Sequence, residues 1–275
     1  MPFPATRREV LYGERIVRCF AERPVNMNEM FLSAVGRAPD TVALVCEDER
    51  ITYRELNERV ERIARNLVHA GFRKGDRLAL LLGNGVEFVY AALAAARAGL
   101  ISVPMNIRQK LPEVEFVLNQ CTAAGIVYDA QYEPNVPARA AVPTLRNAYV
   151  VGEGREPAFA SLYAESAPVD FPEVAQEDTF CLLYTSGTTG KPKGAMLTHV
   201  STIHTLLHYQ HGFDLSEGAV AMLAVPASHV TGFVAIMTRG LRPPCAAAHP
   251  NGFQARPRLG PPARLPILNL NSATA

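Results

Sequence analysis

The sequence predicts an α/β protein with largely parallel, doubly wound sheets flanked by helices. Three observations lead there. Short apolar runs alternate with capped, periodic helical segments over residues 41–130. One run, "RLALLL" at 77–82, is continuously apolar, as a strand buried on both faces requires. A glycine-rich, cationic loop then follows the apolar stretch Phe180–Leu183 directly.

The elements follow in order. Residues 41–46 (TVALVC) read as a strand, with a turn at 47–49 leading into "ITY". Thr52 and Glu55 have the spacing of a capping box, and Leu56, Val60, Ile63, Ala64, Leu67 and Val68 recur on one face of a helix over 53–69. Gly71 stops it. After the strand at 77–82, an alanine-rich helix over 86–98 closes at Gly99 and a strand follows at 101–103. Pro112 suits the first turn of a helix over 112–120, and "GIVYD" (125–129) is the next strand. Residues 131–178, with prolines at 134, 137, 143, 157, 168 and 172, read as an irregular excursion before a strand at 179–184.

Composition narrows the function classes. The chain has 275 residues, 48% hydrophobic and 19% charged, enough for one large or two modest domains with a real core. A net charge of +1 gives no reason to expect nucleic acid or an anionic membrane as partner. The apolar segment around Phe88–Ala96 is broken by Arg97 and is too short for a transmembrane segment. Arg7 and Arg8 are followed by Glu9, Glu14 and Glu22, which does not fit a transit peptide, and no signal core follows. Five scattered cysteines form no CxxC pair, so a reduced, cytoplasmic setting is expected. No feature specifies an oligomeric state.

The loop "YTSGTTGKPKGAMLTH" (184–199) carries the chemistry. Gly187, Gly190 and Gly194 allow several backbone N–H groups to converge on one anion. Ser186, Thr188 and Thr189 add hydroxyl donors, and Lys191 and Lys193 add positive charge. That combination suits phosphate. A Walker loop is excluded: its first glycine would fall at Thr185, and Pro192 stands where a Ser or Thr should reach magnesium. His204, His208 and His211 share a helical spacing, but "HTLLH" lacks the glutamate of a zinc helix, and the histidines read as the margin of a packed helix. His229, in "PASHVTG", taken alone is a structural histidine after a strand.

The signature loop resembles that of the adenylate-forming superfamily: acyl-CoA synthetases, aryl-CoA ligases, luciferases and peptide-synthetase adenylation domains. The resemblance extends to "ITYRELNERVERIARNL", "GDRLALLLGN", "AARAGLISVPMN" and "AVPASHVTG" (224–232), and it is closer to acyl- or aryl-CoA ligases than to peptide-synthetase domains. It implies the N-terminal domain fold of such enzymes, present in part. It divides the chain into an extension (1–27), a partial AMP-binding domain (28–238) and an aberrant tail (239–275). It implies activation of a carboxylic acid by ATP to an acyl adenylate, then thioester formation with CoA, as in fatty acid metabolism. Thr185, Ser186, Gly187, Thr188, Thr189, Gly190 and Lys193 would line the phosphate path, leaving Lys191 more exposed. His229, Val230, Thr231 and Gly232 would border the acyl pocket. Magnesium would bridge the phosphates, with no metal ligand identified in this chain.

The resemblance breaks at Arg239. From there to Ala275 the chain has seven prolines, five arginines and no Asp, Glu or Lys, giving +5 against −4 for the first 238 residues. A shifted reading frame in a GC-rich gene accounts for this better than an ordinary Pro-rich tail. The family's adenine-binding, ribose-binding and C-terminal lysine motifs find no match, so a truncated, inactive chain is expected. The alternative is a non-catalytic phosphate-binding or regulatory fragment of the same family; the third reading, an unrelated phosphate-loop kinase or NTPase, is opposed by the Thr185 and Pro192 mismatches.

Overall fold

The computed structural model describes residues 4–46, 48–185, 192–212, 221–223, 225–233 and 246–248. Its centre is a six-stranded sheet. The chain enters through β1 (Thr6–Leu11) and β2 (Arg15–Phe20), an antiparallel hairpin turning at Tyr12–Gly13, where both residues have positive φ. Then come α1 (Met27–Arg37), β3 (Val42–Cys46), β4 (Glu49–Thr52) and α2 (Tyr53–His69). The Thr52–Glu55 capping box forms reciprocally, and α2 buries Leu56, Val60, Ile63, Ala64 and Leu67. The helix ends before Gly71, whose φ of 87° an L side chain resists.

The parallel series follows: β5 (Arg77–Leu81), α3 (Val86–Arg97), β6 (Ile101–Pro104), α4 (Leu111–Gln120) and β7 (Gly125–Asp129). Beyond it lie β8 (Asn147–Val151), β9 (Thr179–Thr185), β10 (Lys193–Thr198), α5 (His199–Gly212), β11 (Ala221–Leu223) and β12 (Ala246–Ala248). The large sheet has the order β10-β9-β6-β5-β7-β8, parallel throughout except for β10. Alternate residues of β5 serve two cores. Leu78 and Leu80, with Leu82 just past the strand, join α1, α2, α3 and α5, while Ala79 and Leu81 join α4. This two-sided burial is what the continuous apolar run required.

Two expectations need correction. The strand at 41–46 does not enter the parallel series: β3 pairs antiparallel with β4 in a separate sheet of order β11-β12-β3-β4. A two-residue connection between them permits a hairpin and excludes a crossover. The excursion 131–178 is not wholly irregular, since β8 extends the sheet beside β7 over five paired residues. Its apolar run is too short to stand out between prolines, and its strand character comes from its partner. The segment 1–27 holds a hairpin packed on the body, with Leu11 and Cys19 against Val200. His204, His208 and His211 gather around Phe20, with ring centroids 4.9, 4.9 and 6.1 Å away. Within the expected tail, Ala246–Ala248 form β12 between β11 and β3; its other residues lie outside the described ones.

Candidate functional site

Because β5 to β9 run parallel, their carboxyl ends lie along one edge of the sheet, the edge where open α/β sheets bind ligands. At the end of β9, Thr185 is paired with Lys193 of β10, and its hydroxyl lies 3.5 Å from the Lys193 carbonyl oxygen. The glycine-rich loop is therefore closed at its base by two of the residues the sequence singled out. Both are exposed. Ser186, Gly187, Thr188, Thr189 and Gly190, together with Lys191, lie outside the described residues. Beside this base, Gly194 pairs with Tyr184, and a Cβ at 194 would come within 3.1 Å of the tyrosine ring. A side chain there would push on the ring that roofs this end of β9, whose hydroxyl burial raises to about 12.

The same edge carries the loop after β5. The Asp129 carboxylate at the end of β7 accepts the Gly83 N–H at 2.7 Å, and burial raises the pKa of that carboxyl while this bond opposes the rise. Next to it, Asn84 reaches across to residues 225–227. Its Nδ2 donates to the Val225 carbonyl at 3.0 Å, and its Oδ1 accepts the Ala227 N–H at 2.7 Å.

The "PASHVTG" segment folds on itself there. The His229 N–H donates to the Pro226 carbonyl at 3.1 Å, and the chain turns helical at Val230, with the Phe233 N–H donating to the His229 carbonyl at 2.8 Å. Gly232 is required by contact, because a Cβ would sit 2.1 Å from the Pro226 carbonyl oxygen. His229, Val230 and Thr231 are exposed, whereas Gly232 is buried beneath them. Of the four expected pocket residues, three face outward and the fourth lets the turn close.

Phe233 links this turn to β9. Its ring lies 5.5 Å from Phe180 and 6.0 Å, edge-on, from Phe88. Phe180 in turn contacts His199, at 5.2 Å. His199 is the last residue of the signature stretch and was given no role from sequence. It is buried, and its Nδ1 accepts the Met27 N–H at 3.1 Å, which makes it the neutral Nε2–H tautomer. Burial pulls its pKa down to about 4. Thr185, His229 and His199 are thus tied through one strand and one aromatic cluster. The only sequence sign of His199 was its place at the end of the motif.

Among the described residues no group of three His, Cys, Asp or Glu side chains could hold a metal ion. No helix among them is long and apolar enough to cross a membrane.

The family model described as AMP-binding enzyme matches residues 31–250. The chain belongs to this family. The match passes Arg239 and includes β12. A medium/long-chain-fatty-acid–CoA/3-oxocholest-4-en-26-oate–CoA ligase of Mycobacterium marinum is 34% identical over 207 residues, 70% of this chain and 37% of the relative. A feruloyl-CoA synthase of an Amycolatopsis species is 34% identical over 203 residues, 73% of this chain and 39% of the relative. The chain thus spans under two fifths of the length of these curated relatives. An inhibitor-bound N-terminal domain of FACL13 from Mycobacterium tuberculosis superimposes with a TM-score of 0.75 at 28% identity, over 84% of this chain and 58% of that one.

Proposed function

We propose that this chain forms the phosphate-binding base and part of the acyl pocket of an acid–thiol ligase. In that reaction a carboxylate oxygen attacks the α-phosphorus of ATP and pyrophosphate leaves. The thiol of CoA then attacks the acyl carbon of the adenylate, and AMP leaves. The observation that carries the reading is the Thr185–Lys193 pair, which closes a hydroxyl- and amide-rich loop at the carboxyl edge of the sheet. Charge accumulates on the departing pyrophosphate, and an ammonium and hydroxyls placed there stabilise it. The residues suit polyphosphate. Magnesium carried on the phosphates of ATP would neutralise charge there. Residues 229–231 face outward beside the loop that follows β5, where they can meet the carboxylic acid. Buried Cys19, Cys121 and Cys181 as free thiols suit a reducing cytoplasm.

We further infer that the chain alone holds polyphosphate without completing adenylation. The chain spans under two fifths of its curated relatives' length, and losing oriented contacts costs both affinity and positioning. The test is ATP–pyrophosphate exchange by the purified chain with magnesium and a panel of fatty and aromatic acids, beside direct binding of tripolyphosphate. Binding without exchange is expected, and Lys193→Ala should weaken binding by about tenfold or more. Exchange above background with any acid would overturn the inactivity. Unchanged binding by Lys193→Ala would remove the phosphate assignment.

A further inference from the structure

We infer that Asn84 is the positioning residue that fixes the His229 turn against the carboxyl edge of the sheet; its bearing on acid binding rests on the reading of that turn as part of the acyl pocket. An asparagine just upstream of a helix N-cap ordinarily serves as a turn former or cap. Asn84 does not cap α3: the N-cap is Gly85, and no side-chain capping bond is made there. Its amide instead makes a two-point contact with residues 141 and 143 positions away, donating to the Val225 carbonyl and accepting the Ala227 N–H. A carboxamide carries the donor and acceptor of a peptide group side by side, so Asn84 holds the segment as a neighbouring strand would. The orientation is set by the partners, since a flipped amide would face its N–H group to an N–H and its oxygen to a carbonyl.

The anchor is itself held. Asp129 accepts the preceding Gly83 N–H at 2.7 Å, which ties the loop after β5 to the end of β7. On the far side, Pro226 lies between the two bonded residues, and its carbonyl receives the His229 N–H. Position therefore passes from the sheet edge through Asp129, Gly83 and Asn84 to the backbone of His229. Phe233, packed on Phe180 and Phe88, holds the other end of the turn. With both ends fixed, the outward placement of His229, Val230 and Thr231 follows. Without Asn84 only the aromatic end remains, and the segment 225–229 can lift while Phe233 stays seated.

The test uses the full chain and the variants Asn84→Ala and Asn84→Asp. Hydrogen exchange is followed at the Ala227 amide, with the Leu80 amide of β5 as internal reference. The Ala227 amide should exchange about tenfold faster or more in Asn84→Ala while Leu80 is unchanged. Asn84→Asp keeps the acceptor and loses the donor, so it should fall between. Affinity is read with cis-parinaric acid and ferulic acid as acid probes and tripolyphosphate as the phosphate probe. Asn84→Ala should weaken the binding of whichever acid the native chain takes by about tenfold, and tripolyphosphate by less than about twofold. Unchanged exchange at Ala227 would overturn the positioning role. Equal losses for acid and tripolyphosphate would reduce Asn84 to a general structural residue. If the native chain binds neither acid, the acyl-pocket reading and Asn84's part in it both fall, whereas the exchange data still decide whether Asn84 holds the turn.

Discussion

The two faces of the six-stranded sheet are covered by different means. On one, α1, α2, α3 and α5 pack apolar side chains over Leu78, Leu80 and Leu82. On the other, α4 covers only part of the surface, and Val136, Val142 and Leu145 from the proline-bearing chain after β7 complete the cover over Ala79 and Leu81. The comparison teaches that burial does not depend on regular structure above it. What differs is how freely each cover can relax, because packed helices move as units whereas the short 3-10 turns Ala130–Asn135 and Arg139–Ala141 adjust residue by residue.

Adjacent residues of β5 test that difference most directly. Leu80 and Leu81 are both fully buried and point to opposite faces. Leu80→Ala should cost about 4 kcal/mol and Leu81→Ala about 3 kcal/mol in urea unfolding, since the cavity under the turns collapses further. Equal costs, or the reverse order, would break the comparison.

The helical face also holds a buried neutral histidine. With a folded-state pKa near 4 against 6.5, the unfolded chain binds the extra proton, so this contribution is complete above pH 6.5 and is lost as pH falls toward 4. The loss should total roughly 3 kcal/mol. His199→Gln should remove this part of the slope in unfolding measured from pH 7.5 to 4. An unchanged slope would place the titration elsewhere.

Arg97 sharpens the comparison further, because it sits beneath the same helices. Its guanidinium donates to Asn28 Oδ1 at 3.0 Å and Asn57 Oδ1 at 2.7 Å, joining α1, α2 and α3, and burial lowers its pKa to about 10. Arg97→Met keeps the aliphatic bulk and strands two amide oxygens, for an expected loss of about 2 kcal/mol. A neutral result would mean that the helices dock by apolar contact alone. The smallest effect belongs to a local device: Thr52→Ala, which removes the capping hydroxyl of α2, should cost about 1 kcal/mol by the same denaturation.

Legibility from sequence follows the same division. The helix over 53–69 was readable because the Thr52–Glu55 box and the apolar stripe are repeated local signals. The strands Arg77–Leu81 and Gly125–Asp129 were readable because two-sided burial demands unbroken apolar runs. β8 was not, since its five residues gain strand character only from pairing with β7. At the site, the sequence offered only residue types in the loop and in "PASHVTG". The placement of Gly232 under the Pro226 carbonyl, the burial of His199 and the reach of Asn84 were not legible.

The amino-acid sequence by itself determined the alternation of strands and helices over residues 77–129, the helix stops and the family. Each depends on periodicity, capping or composition within a few neighbouring residues. Only the tertiary structure decided that β3 leaves the parallel series, that the N-terminal hairpin packs on α5, and that Thr185 stands opposite Lys193. It alone joined Asn84 to Ala227 and His199 to Met27, residues 143 and 172 positions apart. A hydrogen bond across such a separation leaves no period in the chain, because its partners meet only after the intervening strands and helices have packed.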